Sequence, residues 1–170
     1  SRAYFDGALG ELPQVRAEAL AEASEGLIAL TGGSGGPLYA ALRNGRAELA
    51  ASRLDTLLRA FGEDRLYVEI QRHGAEGERR IEAELLRLAD RHGLSVAAAN
   101  EPFFARAEDY EAHDALLALA EGRLVSDERR RRLTTRHAFK TRAEMGELFR
   151  DLPDALAATV EIALRCAYRV

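Results

Sequence analysis

Cysteine is nearly absent: Cys166 is the only one in 170 residues. No internal disulfide can form, and a reducing cytoplasm is the simplest compartment. Long apolar runs are also missing. No stretch approaches the roughly 18 uninterrupted apolar residues of a membrane helix, and no basic-then-apolar leader marks the chain for secretion. Lysine is almost gone, since 23 of the 24 basic residues are arginine and Lys140 is the exception. With alanine abundant, that bias reads as a GC-rich coding sequence, so an arginine here carries less functional weight than usual. A net charge of −4 predicts no nucleic-acid footprint for the chain as a whole. The first residue is Ser1 rather than methionine, which suggests a piece of something longer.

What is present is the composition of a soluble globular protein, 47% hydrophobic and 31% charged. The length is that of one domain with a real core. Three short apolar runs read as buried strands: Leu27–Leu30, Leu66–Ile70 and Val96–Ala99. Each is bounded by turn formers, as expected for strands covered on both faces. Helical stripes lie between them. Ala50, Leu54, Leu57, Leu58 and Phe61 recur within 46–61, and Ile81, Leu85, Leu88 and Ala89 within 78–92, with Gly93 placed as a C-cap. Strand, helix, strand, helix, strand predicts an α/β fold with a mainly parallel sheet. After Asn100 the strand signals stop. Helices are expected over 108–121, 143–149 and 153–167, the last opening on Pro153 and burying Leu156, Val160, Leu164 and Ala167. The α/β part then hands over to a helical tail near residues 104–124.

All three strands end in polar or glycine-rich sequence, and in parallel α/β folds ligands gather at those ends. The loop Thr31–Gly36 lacks both the Gly-Lys-Ser/Thr of a phosphate loop and the spacing of a dinucleotide fingerprint. Its plainer reading is a tight turn into a helix at Pro37. Glu69 and His73 offer a carboxylate and an imidazole that a bend could bring together, with Glu101, His113 and Asp114 as further metal-ligand candidates. A metal needs three or four such groups, and the residues alone favour a structural role for Glu69 and His73. His92 and His137 sit in charged, surface-like sequence. From Arg123 to Arg142 the net charge is +6, leaving −10 elsewhere. The core of that segment, Arg129, Arg130, Arg131 and Arg132, is a candidate contact for nucleic acid or for another protein surface. No aromatic stacking platform is interleaved with it, and a solvated helix face is the plainer reading.

The order of the motifs adds a resemblance. "SRAY" at 1–4, "EGLIALTGGSGG" at 25–36, "FGEDRLYVEIQRHG" at 61–74, "AANEPFF" at 98–104, "EDYEAHDALLALAEGR" at 108–123 and "KTRAEMGELFRDLPDALAATVEIALRC" at 140–166 form one series. Together they resemble the alpha subunits of bacterial DNA polymerase III. The matching region is the second half of the N-terminal polymerase-and-histidinol-phosphatase (PHP) domain and the helices leading toward the palm. The likeness is weakest over 5–23, where this chain is expected to have its own loop.

The resemblance implies a partial, distorted β/α barrel over 1–124 and a helical connector over 125–170. It implies a role in DNA replication, with nucleotide addition by magnesium-binding palm aspartates beyond Val170 and no polymerase activity in this piece. It also implies partners: the rest of the polymerase chain, DNA through the full enzyme, a proofreading exonuclease subunit and other replisome subunits. Some family members keep a multi-metal 3′–5′ exonuclease site. Glu69 to Gly74 matches their Glu-x-Gln-Arg-His-Gly. Where they read Asn-Asp-x-His, this chain reads Asn100-Glu101-Pro102-Phe103, and a phenyl ring has no lone pair for a metal. The family's leading His-x-His motif is not in this sequence. The expectation is therefore a silent scaffold with no cofactor of its own, in which Glu69, His73 and Glu101 are vestiges. The alternatives are a PHP domain still active as a metal-dependent exonuclease or phosphoesterase, and an interaction module of unrelated α/β fold.

Overall fold

A computed structural model of the chain describes residues 16–167. Strands β1 (Ala29–Leu30), β2 (Leu66–Gln71) and β3 (Val96–Ala99) are parallel and pair in the order β1-β2-β3. Helices α2 (Pro37–Arg43) and α3 (Ala47–Phe61) connect β1 to β2, and α4 (Glu78–His92) connects β2 to β3. A short α1 (Ala17–Glu22) precedes β1, so part of the divergent 5–23 segment is helical. The Ser1–Tyr4 motif lies outside the described residues.

Alternation along β2 divides the interior. Leu66, Val68 and Ile70 face Leu38 of α2, Leu54 of α3 and Ile81 and Leu85 of α4 in the main core. Each such side chain removed from water contributes roughly 1.5–3 kcal/mol. Tyr67 points the other way, against Ala97 and Ala158, with Ile28 and Ile162 beside them. The stripes predicted for α3 and α4 are the buried ones, and Gly93 caps α4 with a φ of +63°.

The remaining helices are α5 (Tyr110–Ala120), α6 (Arg142–Leu148) and α7 (Pro153–Arg165). Phe149 and Ala155, both buried, belong to the same core as the α/β part, so α6 and α7 dock on it rather than trail from it.

Two expectations about burial are corrected. α7 turns Ala155 and Ala158 inward, with Ile162 partly buried, while Val160 is 59% and Leu164 72% exposed. α7 lies along β3, whose residues are Val96 and three alanines, and a helix can approach so low a surface closely only through small side chains of its own. β1 is two residues long and, among the described residues, pairs only with β2; Leu27 and Leu30 are substantially exposed rather than covered on both faces.

Candidate functional site

The carboxyl ends of the three strands open on a cleft of about 570 Å³, lined by the glycine loop after β1, Glu69 and Gln71 of β2, and Asn100–Pro102 after β3. Thr31 begins the loop. It is buried, and its Oγ1 accepts the Glu69 N–H at 3.0 Å, which ties the loop to β2. The loop is the tight turn expected: Gly36 N–H donates to the Gly33 carbonyl at 2.8 Å, and α2 starts at Pro37. Its glycines serve close packing. A Cβ on Gly33 would meet the Gln71 amide at 2.0 Å, and one on Gly36 would meet the Thr31 carbonyl oxygen at 2.5 Å. Gln71 Nε2 donates to Glu69 Oε1 at 2.6 Å. Burial pushes the Glu69 carboxyl up; the Gln71 hydrogen bond opposes this, the nearby Glu101 charge adds to it, and a Gly32 backbone bond again opposes. Glu101 itself is exposed at the cleft rim.

His73 is elsewhere. It lies beyond β2, 3% exposed, and lines a second cleft with Glu78, Thr134 and Arg136. The backbone N–H groups of His73 and Gly74 both donate to the Glu78 carboxylate, each at 2.7 Å, which joins this turn to the start of α4. Thr134 Oγ1 donates to the His73 carbonyl at 2.7 Å. His73 Nδ1 faces the Arg136 carbonyl at 3.4 Å, and the buried Nε2 has no partner among the described residues. Its ring stacks on His137 at 3.8 Å between centroids, with only 10° between planes. Burial, then the neighbouring His137 charge, bring the His73 imidazole down to about 4.

His137 is thus not the surface residue its charged sequence suggests. It is 7% exposed, and the Thr134 N–H donates to its Nδ1 at 3.1 Å. Phe103 completes this group. Its ring centroid is 5.9 Å from His137 and 5.7 Å from His113, and Arg131 lies 5.8 Å over its face. The Phe103 N–H donates to the His137 carbonyl at 2.9 Å. Sequence reading missed this group because its members come from segments that only the tertiary fold brings together.

Arg72, between Gln71 and His73, is a further residue the sequence did not single out. Its guanidinium reaches Glu82 at 2.6 and 3.0 Å, Asp151 at 2.6 and 2.9 Å, and the Leu148 carbonyl at 2.7 Å. It also sits 4.7 Å over the ring of Phe149. One side chain thereby joins the end of β2 to α4 and to the α6–α7 corner.

The basic run divides. The Arg130 side chain is 1% exposed and forms a two-pronged pair with Asp114. It also donates to the Val125 carbonyl at 3.2 Å. Arg130 therefore cannot present itself to a partner, and Asp114 is no longer free to ligate a metal. Arg129, Arg131 and Arg132 stay exposed.

Sequence comparison places this geometry. Residues 1–73 match the model of the PHP domain. The whole chain is 44% identical, over 170 residues, to DNA polymerase III subunit alpha of Caulobacter vibrioides, covering 15% of that relative. It is 37% identical over 171 residues to the Pseudomonas aeruginosa subunit, with all of this chain and 14% of the relative covered. With the Thermus aquaticus subunit it shares 36% over 173 residues, covering 98% of this chain and 14% of the relative. The chain belongs to the PHP region of the DNA polymerase III alpha subunits. It spans about one seventh of the length of the relatives it matches.

For a PHP region the question is whether the residues fit metal ions. Glu69 and His73 line different clefts, and Asp114 is held by Arg130. His73 Nε2 and His113 Nδ1 are both buried and unpartnered; the ring beside His113 is that of Phe103, and the ring on His73 is that of His137. Among the described residues no three His, Cys, Asp or Glu side chains converge as a metal site. These residues do not fit the multi-metal centre that the family implies. No helix among them is long and apolar enough to cross a membrane.

Proposed function

We propose that this chain is a structural part of a replicative DNA polymerase alpha subunit, and that its PHP region is catalytically silent. One observation carries the reading. Phe103 stands where metal-holding members place histidine, and its ring packs between His113 and His137. A phenyl ring supplies no electron pair, and packed there it fills space that an ion and its water would need.

In this reading β1, β2 and β3 form an arc of a distorted β/α barrel. The sequential strand order and the packing of α2, α3 and α4 into one core support it. Residues 1–124 continue the PHP domain, and 125–170 form the connector toward the palm. Polymerisation, with its magnesium ions, belongs to the palm, and DNA is met by the full-length enzyme. The other partners are the remainder of the polymerase chain, a proofreading exonuclease subunit and further replisome subunits.

An active metal-dependent exonuclease is the second reading, favoured by the intact Glu69-Ile70-Gln71-Arg72-His73-Gly74 stretch. Metal analysis of the full-length subunit separates the two. The scaffold reading expects far less than one zinc or manganese per PHP domain. Stoichiometric metal, with exonuclease activity abolished by Glu69→Ala, would overturn it.

A further inference from the structure

The group around Phe103 does more than block a site. Two loops meet there, 100–109 after β3 and 121–141 between α5 and α6. Phe104 and Ala138 form an isolated parallel bridge, flanked by Phe103 N–H to the His137 carbonyl and Phe139 N–H to the Phe104 carbonyl, both 2.9 Å. Apart from that bridge, neither 100–106 nor 121–134 contains a strand or helix that would hold it in place. What fastens them to the α/β part is a set of ring contacts and a few hydrogen bonds. His137 stacks on His73, Phe103 lies against His137 and His113, and Thr134 bonds to the His73 carbonyl.

We infer that the Phe103–His137–His73 cluster is a metal-free tie, an aromatic plug that fastens the 131–140 segment to the carboxyl end of β2. The inference rests on the silent-scaffold reading, because it gives the plug the fastening role that ions bridging the strand ends would otherwise have. Its physics is that of ring packing. The three rings, continued from Phe103 through His113 to Phe104 and Tyr110, give stacked, tilted and edge contacts at 3.8–6.2 Å, spacings at which aromatic pairs attract beyond their simple burial. The two buried nitrogens without a partner, His73 Nε2 and His113 Nδ1, both belong to rings of this cluster.

Hydrogen exchange of the full-length alpha subunit, read by mass spectrometry, tests this. In Phe103→Ala and in His137→Ala, peptides covering 131–140 should exchange about tenfold faster, while peptides of α3 and α4 keep their protection. The double variant should be little worse than either single one, as for residues acting through one contact. Phe103→Leu fills the space without a ring face and should loosen the segment about threefold; it also serves if the alanine variant does not fold. Chelator should leave the wild type unchanged. Unaltered exchange in all the variants would overturn the tie. So would wild-type loosening by chelator, since an ion would then hold the segment. Metal found in the wild type, with exchange insensitive to chelator and sensitive to Phe103, would sink the silent-scaffold reading and leave the tie standing.

Discussion

Removing the Arg72 guanidinium tests how the end of β2 is held. Arg72→Met keeps an apolar stem over Phe149 and deletes every polar contact of the side chain. The magnitude follows from exposure. The Asp151 arm is 60% exposed on the acid's side, so it contributes at most about 1 kcal/mol. Both members of the Glu82 arm are largely buried, at 17% and 15%, and the Leu148 carbonyl would lose a charged donor. Charge-assisted bonds of this kind are worth about 1.5–3 kcal/mol, and the cation over the Phe149 ring adds about 0.5–1 kcal/mol. Because these groups share one side chain the parts do not sum, and the expected cost is about 3 kcal/mol. Urea unfolding of the chain, followed by circular dichroism, measures it at constant m-value. The order should be Arg72→Met well above Glu82→Gln, and Glu82→Gln above Asp151→Asn. Should Arg72→Met cost less than 1 kcal/mol, or no more than Asp151→Asn, the argument that burial sets the value of each arm is wrong. Asp151 also has a pH signature. Arg72 holds its carboxyl down to about 2, below the unfolded value of 3.8, so the pair stabilises above pH 4 and its contribution disappears between pH 4 and 2. That part of the acid transition should be shallower in Arg72→Met.

His73 sets the pH dependence in a higher window. Its folded value of about 4 lies below the ordinary 6.5, so its contribution is complete above pH 6.5 and is lost as pH falls toward 4, about 3 kcal/mol in all. His73→Phe should flatten stability over that range, which a pH series of urea midpoints would register. The glycine loop predicts an order of tolerance. Gly36→Ala should cost most, because its Cβ meets backbone; Gly33→Ala should cost about 1–2 kcal/mol by displacing Gln71; and Gly35→Ala, with nothing within 4 Å, should be near neutral. Thermal melts of the three variants would show whether the order holds. In the basic run, Arg130→Ala should destabilise the chain by stranding the buried Asp114 carboxylate, whereas Arg129→Ala and Arg132→Ala should leave its melting point unchanged. If the exposed arginines touch DNA in the full-length enzyme, replacing them should lower the salt slope of DNA binding by about one per phosphate contact.

The sequence determined the elements whose periodicity is strong. The stripes of α3 and α4, the β3 boundaries, the Gly93 cap and the turn from Thr31 to Pro37 were all legible, because local spacing and backbone preference alone decide them. The tertiary structure decided everything that depends on what a residue meets. α7 buries alanines and exposes Val160 and Leu164 because β3 is itself a strand of small residues, and sequence periodicity cannot show the depth of the surface opposite. Arg130 reads as one of four equal charges, yet Asp114, sixteen residues upstream, draws it inside. His137 reads as a surface residue until the fold lays its ring on His73. Charge and hydrophobicity are properties of a residue, while burial, pairing and ring contact belong to pairs of residues, and in this chain the decisive pairs are far apart in sequence.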